Sequence, residues 1–201
     1  MRRRALLALV LLVSPAALFA PASQAGAAAP GAPAQLDELM QLLAARRHGH
    51  VAFSEVQNLA MLDRPLESSG ELLYDAPDRL EKRTLKPKPE DLTLEHGVLT
   101  AKRGRHTRTL DLAAYPQLSP LVESLRATLS GDRASLERAF DVQLSGDLDD
   151  WTLRLTPRDA AAARIVREVR MAGSRAILKS MEILQADGDR TLLTLGPELA
   201  P

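Results

Sequence analysis

No cysteine occurs anywhere in the 201 residues. That excludes disulfides, a lipidated N-terminal Cys and every metal or nucleophile site that needs a thiolate, so the fold must rest on its apolar core. Aromatics are also scarce, at 3% of residues. After residue 30 they are only Phe53, Tyr74, Tyr115, Phe140 and Trp151, which leaves Leu, Val, Ile and Ala to build the interior. Neither sign of charge is in excess, with 26 basic and 26 acidic residues, so no basic field points to nucleic acid. The one long apolar run, Ala5 to Ala20, is interrupted by Pro15 and falls short of the roughly 20 residues a spanning helix needs.

That run has a different use. Arg2, Arg3 and Arg4 precede it and small residues follow it, which is the layout of a secretory signal peptide over residues 1–25, with cleavage between 22 and 29. Residues 26–34 are rich in Ala, Gly and Pro and read as a disordered leader. Residues 35–201 then form one domain, because about 170 residues can bury a sizeable core and no second composition regime appears. Removing residues 1–30 takes away three basic and no acidic residues, which leaves 23 against 26 and a net charge of −3.

Leu36, Leu39, Met40 and Leu43 recur at helical spacing and predict an amphipathic helix from near Gln35 to about Arg46. From there the period is two. The stretch Val51 to Arg83 holds two half-apolar strands, with Ser69-Gly70 leading into the second. Past Pro87 and Pro89, three strands are predicted over Asp91–Glu95, Val98–Arg103 and Arg105–Leu112, joined at His96-Gly97 and around Gly104. A helical interlude follows, with Ser119 as cap, Pro120 in the first turn, a stripe of Leu121, Leu125 and Leu129, and Gly131 to close it. A short helix over Ala134–Phe140 continues it. Strand patterns return over Phe140–Gly146, Trp151–Thr156, Ile165–Met171, Ala176–Gln185 and Thr191–Leu195, with one helical turn at Ala160–Ala163 and a hairpin signal at Asp187-Gly188.

The expected fold is α+β, with about 11 antiparallel strands in one large curved sheet, an unclosed barrel, and two or three helices as a lid. A curled sheet with one apolar face is a cup. Filled by side chains it is a core, and left open it is a site for a lipid or acyl chain. Candidate wall residues are Phe53, Leu72, Tyr74, Leu80, Leu92, Leu94, Leu121, Leu125, Leu129 and Leu153.

The order of these elements resembles the periplasmic outer-membrane lipoprotein carrier family, LolA, and its divergent relatives. The resemblance is carried by Phe53-Ser54-Glu55 where the family has F-x-Q, by Ser69 to Tyr74, by Asp75-Ala76-Pro77-Asp78-Arg79-Leu80, by Leu153-Arg154-Leu155-Thr156-Pro157 and by Asp187-Gly188. It implies a periplasmic carrier, monomeric, that takes acyl chains of a lipid or lipoprotein from an inner-membrane donor to an outer-membrane acceptor. The absence of cysteine fits this soluble carrier rather than LolB, itself a lipoprotein. Two departures stand out. Ala76 occupies the position of the family's lid-holding Arg, which makes Arg79 and Arg83 the candidates for lid contact, and Leu73 and Leu80 replace aromatics of the family cavity. The second departure allows a cargo other than a triacylated lipoprotein.

Other chemistry finds little support. His48-Gly49-His50 is a weak metal pair without Cys, no G-x-S-x-G elbow anchors a hydrolase triad, and Asp147, Asp149 and Asp150 lack the Gly and Glu of a calcium loop. No catalytic residue, metal or cofactor is expected. Lys102-Arg103-Gly104-Arg105 is a charged hairpin tip that could meet an acidic partner or an anionic head group. The main alternative to a carrier is a non-catalytic envelope module that binds a protein or senses a signal on the same scaffold.

Overall fold

The computed structural model describes residues 32–114 and 119–199, and the expected signal peptide lies outside them. Eleven strands form one antiparallel sheet: β1 (His48–Asn58), β2 (Leu66–Asp75), β3 (Arg79–Lys86), β4 (Glu90–Glu95), β5 (Val98–Arg103), β6 (His106–Asp111), β7 (Phe140–Asp147), β8 (Asp150–Pro157), β9 (Val166–Ser174), β10 (Ile177–Gln185) and β11 (Arg190–Glu198). The helices are α1 (Ala32–Ala44), α2 (Ser119–Ser130), α3 (Arg133–Ala139) and α4 (Ala160–Ala163), with a 3-10 turn at Leu112–Ala114.

The strand order is β6-β5-β4-β3-β2-β1-β11-β10-β9-β8-β7. Two meanders therefore meet at the β1–β11 pair, and β6 and β7 are the two free edges of an unclosed sheet. This order explains the helical insertion. The chain leaves at one edge and must re-enter at the other, so α2 and α3 cross the apolar face on the way. They become a lid by connectivity.

Pairing shows which residues share that face, because directly opposed residues in an antiparallel ladder point the same way. Phe53 lies opposite Gly70 and Leu195, Tyr74 opposite Leu80, and Leu80 opposite Leu94. In the second meander Leu153 lies opposite Leu144 and Met171. The opposite face carries charge. Arg79, Glu81 and Arg83 alternate with Leu80 and Lys82 along β3, and Glu81 bonds Arg83 at 2.6 Å and Arg79 at 3.1 Å. Glu182 is held there by Arg170 and Arg190, and Glu168 by Arg170 and Arg154.

One half of the cup is packed. Leu36, Leu39, Met40 and Leu43 of α1, with Leu136 of α3, close over Phe140, Trp151, Leu153, Leu155, Val169 and Met171 of the β7–β9 wall. Trp151, Leu153, Val169 and Met171 are 0–1% exposed, so this half is a close-packed interior. Gly173 lets the Trp151 ring lie against β9, since a Cβ there would sit 2.3 Å from Cζ2. Trp151 Nε1 donates to the Arg175 carbonyl at 3.0 Å.

The end of α2 is closed as the sequence suggests, while Ser119, expected as its cap, is the first residue of the helix. Gly131, at φ +68°, ends α2: its N–H donates to Thr128 O at 3.1 Å, and Asp132 N–H to Ala127 O at 2.8 Å. A Cβ on Gly131 would lie 2.2 Å from Met40 O, so the same glycine lets α1 press against the end of α2. Asp132 then caps α3 by accepting from Ser135 N–H at 3.0 Å. The Ser135 bonds hold the Asp132 carboxyl below its ordinary pKa.

Boundaries differ in places. α1 starts at Ala32, so the expected leader overlaps its first turn. β2 starts at Leu66, which puts Ser69-Gly70 inside the strand, at a register shift against β3 where a Cβ would meet Arg83 O at 1.9 Å. Phe140 belongs to β7, not to the short helix before it.

Candidate functional site

In the other half of the cup a cavity of about 330 Å³ remains between the sheet and α2. That is near the lower end of the roughly 300–1,000 Å³ typical of ligand pockets. Its wall is Leu72, Tyr74, Leu80, Leu92, Leu94 and Leu99 from the first meander, and Leu178, Met181, Ile183, Leu193 and Leu195 from the second. Val122, Leu125 and Leu129 of α2 roof it, and Leu43 reaches it from α1. Alternation on β2 to β5 and helical spacing on α2 are enough to aim these side chains inward.

Seven of the ten candidate wall residues are therefore on the cavity: Leu72, Tyr74, Leu80, Leu92, Leu94, Leu125 and Leu129. Leu153 is not, because α1 and α3 cover it within the packed half. Phe53 is 4% exposed and lies on the apolar face, yet it is absent from the cavity wall because Lys82 Nζ stands 5.1 Å above its ring. The Leu121 side chain lies outside the described residues. Arg79 and Arg83 take a different place from the lid contact expected of them. They stand on the charged face, away from α2, with Glu81 between them.

Several wall residues were missed, among them Leu99, Met181, Ile183 and Leu193 and two charged ones. Glu55 and Lys82 both border the cavity. Lys82 Nζ donates to Glu55 Oε1 at 2.7 Å, and Ser68 Oγ donates to Oε2, also at 2.7 Å. The side chains are 9% and 15% exposed, so an ion pair sits in an otherwise leucine-rich wall. Period two alone could have found them, since Glu55 follows Phe53 by two and Lys82 follows Leu80 by two. They were passed over because charged residues in a half-polar strand are expected on the wet face.

The cavity's ends are polar. Arg46 Nη2 bonds Glu198 Oε1 at 2.9 Å at one end, and Asp189 Oδ1 accepts from Ala60 N–H at 2.7 Å at the other. The Tyr74 hydroxyl is buried with no hydrogen-bond partner among the described residues, and desolvation raises its pKa, opposed by the nearby charges of Arg47 and Arg126. His48 and His50 point to Asp75 and Glu71, at 2.8 and 3.1 Å, and do not converge on each other. Among the described residues no group of three or more His, Asp or Glu could hold a metal ion, and no helix is long and apolar enough to cross a membrane.

An unclosed eleven-stranded sheet with a helical roof over an apolar cavity is the geometry that the sequence resemblance implies. Residues 27–198 match the family described as outer membrane lipoprotein carrier protein LolA-like. The chain belongs to that family. No curated protein matches it in sequence. Solved structures with a similar fold include a LolA superfamily protein from Nitrosomonas europaea, 10% identical, covering 85% of this chain and 94% of that one at a TM-score of 0.44. LprF from Mycobacterium bovis is 16% identical, covering 88% and 96% at 0.41. Lipoprotein LppX from Mycobacterium tuberculosis is 10% identical, covering 84% and 97% at 0.40. In this LolA-like chain a lysine and a glutamate stand in the cavity wall.

Proposed function

We propose that this LolA-like chain is a periplasmic carrier that holds an acyl chain of a lipid or lipoprotein in its cavity and moves it toward the outer membrane. The observation that carries this reading is the apolar cavity beneath α2, which persists although the other half of the same cup is closed tightly. A core that only needed to be stable would have been filled throughout, because unfilled apolar volume costs about 24 cal/mol per Å³. Burying a sixteen-carbon chain offers on the order of 10 kcal/mol at about 0.8 kcal/mol per CH₂, before ordering costs, so a cavity of this size can retain one chain.

The volume of about 330 Å³ favours one acyl chain rather than three. Loading from an inner-membrane donor and release to an outer-membrane acceptor belong to the same proposal. The test is native mass spectrometry of the full chain expressed with its own N-terminus and purified from a bacterial envelope without detergent. Adducts with masses of acyl lipids are expected, and they should disappear on competition with excess palmitoyl ligand. A protein that is free of adducts and does not take up a neutral fluorescent probe would refute the proposal.

A further inference from the structure

We infer that Lys82, set against Glu55, is the specificity-determining residue of this cavity, and that it selects acyl ligands with an uncharged ester or amide carbonyl over free fatty-acid anions. The inference rests on the acyl-binding reading above and narrows its ligand class.

Among the described residues five charged side chains border the cavity: Arg46, Glu55, Lys82, Asp189 and Glu198. Two are cations and three are carboxylates. Both cations are already committed, Lys82 to Glu55 and Arg46 to Glu198, while Asp189 is met by the Ala60 amide. A fatty-acid carboxylate placed among these groups would add a fourth anion against two cations that are each already paired. In surroundings so rich in Leu the desolvation of that anion would go uncompensated.

An uncharged carbonyl meets a different situation. The Lys82 ammonium has three N–H donors, of which one serves Glu55 and the ring of Phe53 occupies one side of the group. Donor capacity remains on the wall of the cavity. Glu55 is itself fixed from two sides, by Lys82 and by Ser68, so the pair is held in place before a ligand arrives. A carbonyl oxygen can thus accept from Lys82 without disturbing the charge balance, at the point where an acyl tail lying along Leu72, Leu80 and Leu92 would meet its first polar group.

The experiment is competition for a neutral fluorescent probe, N-phenyl-1-naphthylamine, bound to the purified full chain at pH 8, with 1-monopalmitoylglycerol and palmitate as competitors below their aggregation limits. The ester should displace the probe at a concentration lower by about tenfold or more, the scale of one hydrogen bond to a charged group. Glu55→Gln releases Lys82 from its carboxylate, and palmitate should then gain about tenfold, so that the preference closes or inverts. Because Lys82→Met alone would strand the Glu55 charge, the companion variant is the double substitution Glu55→Gln with Lys82→Met. It removes both charges together and with them the Lys82 donor, so the ester's advantage should shrink by about tenfold. Circular dichroism of each variant establishes that the sheet is retained. Equal competition by ester and anion in the unaltered protein, or a preference unmoved in both variants, overturns the inference and leaves acyl binding standing. Failure of both competitors to displace the probe from the unaltered, folded protein removes the acyl-binding reading and this inference with it.

Discussion

Leu153→Ala and Leu80→Ala make the same chemical change on the same face of one sheet, and the structure predicts different costs. Leu153 is 0% exposed under α1 and α3, in contact with the packed wall of β7 to β9. Truncation there removes three carbon-equivalents from a closed interior, about 2.4 kcal/mol at 0.8 per CH₂, and leaves a void that adds about 1 to 2 kcal/mol more. A loss of about 3.5 to 4.5 kcal/mol follows. Leu80 already borders open volume and is only partly buried. Its outer atoms give up few contacts and no new closed void forms, so the loss should be about 1 to 2 kcal/mol. Equilibrium urea unfolding of the full chain measures both, and the gap should also appear as a difference in melting temperature, about 2 to 4 °C per kcal/mol for a domain of this size. Leu80→Ala should also enlarge the cavity and admit a bulkier probe, whereas Leu153→Ala should not. Equal destabilisation at the two sites would mean that the cavity is closed in solution and would refute the division of the cup into a packed and an open half.

Two further outcomes follow from single groups. Tyr74→Phe deletes the buried hydroxyl that has no hydrogen-bond partner among the described residues and should raise stability by about 1 kcal/mol in urea unfolding; a loss of that size would mean that the hydroxyl is bonded in solution. Glu81 has its carboxyl held below the usual carboxylate range by hydrogen bonds from Arg83 and then Arg79, against an opposing effect of burial. A depressed folded-state pKa contributes stability above the unfolded value near 4.5 that is lost as pH falls through the lower folded value. Glu81→Gln should therefore lower stability at neutral pH and flatten the fall in stability below about pH 4.5. An acid unfolding profile identical to that of the unaltered chain would sink this assignment.

The sheet was legible in the sequence because it is built from local signals. Hairpin turns at His96-Gly97, Gly104 and Asp187-Gly188 set the strand ends, and the positive φ of each of these glycines is what the turns require. Period two then divided the strands into faces, and five of the wall candidates followed directly, with Leu125 and Leu129 given by the helical spacing of α2. The misplacement of Leu153 has a definite cause. Leu153 and Leu80 are indistinguishable along the chain, each an inward leucine between polar neighbours, and what separates them is where α1 and α3 come to rest. That placement depends on long-range contacts such as Gly131 against Met40, which no window of sequence contains.

Arg79 and Arg83 show the complementary failure. They were assigned to the lid from the absence of an Arg at Ala76, although their own alternation with Leu80 already put them on the other face. There they hold Glu81, on a surface where Glu182 and its two arginines repeat the same arrangement four strands away. The convex face thus carries its buried carboxylates each between two arginines, whereas on the concave face Glu55 has a single lysine and a serine hydroxyl. A carboxylate fixed by two guanidinium groups on the convex face is a structural element set apart from the cavity. One fixed by a lysine leaves N–H groups directed elsewhere, and in this protein the Lys82 ammonium is on the wall of the cavity. The charged residues that matter for binding are for this reason the pair that breaks the pattern of the sheet's two faces, not the arginines that conform to it.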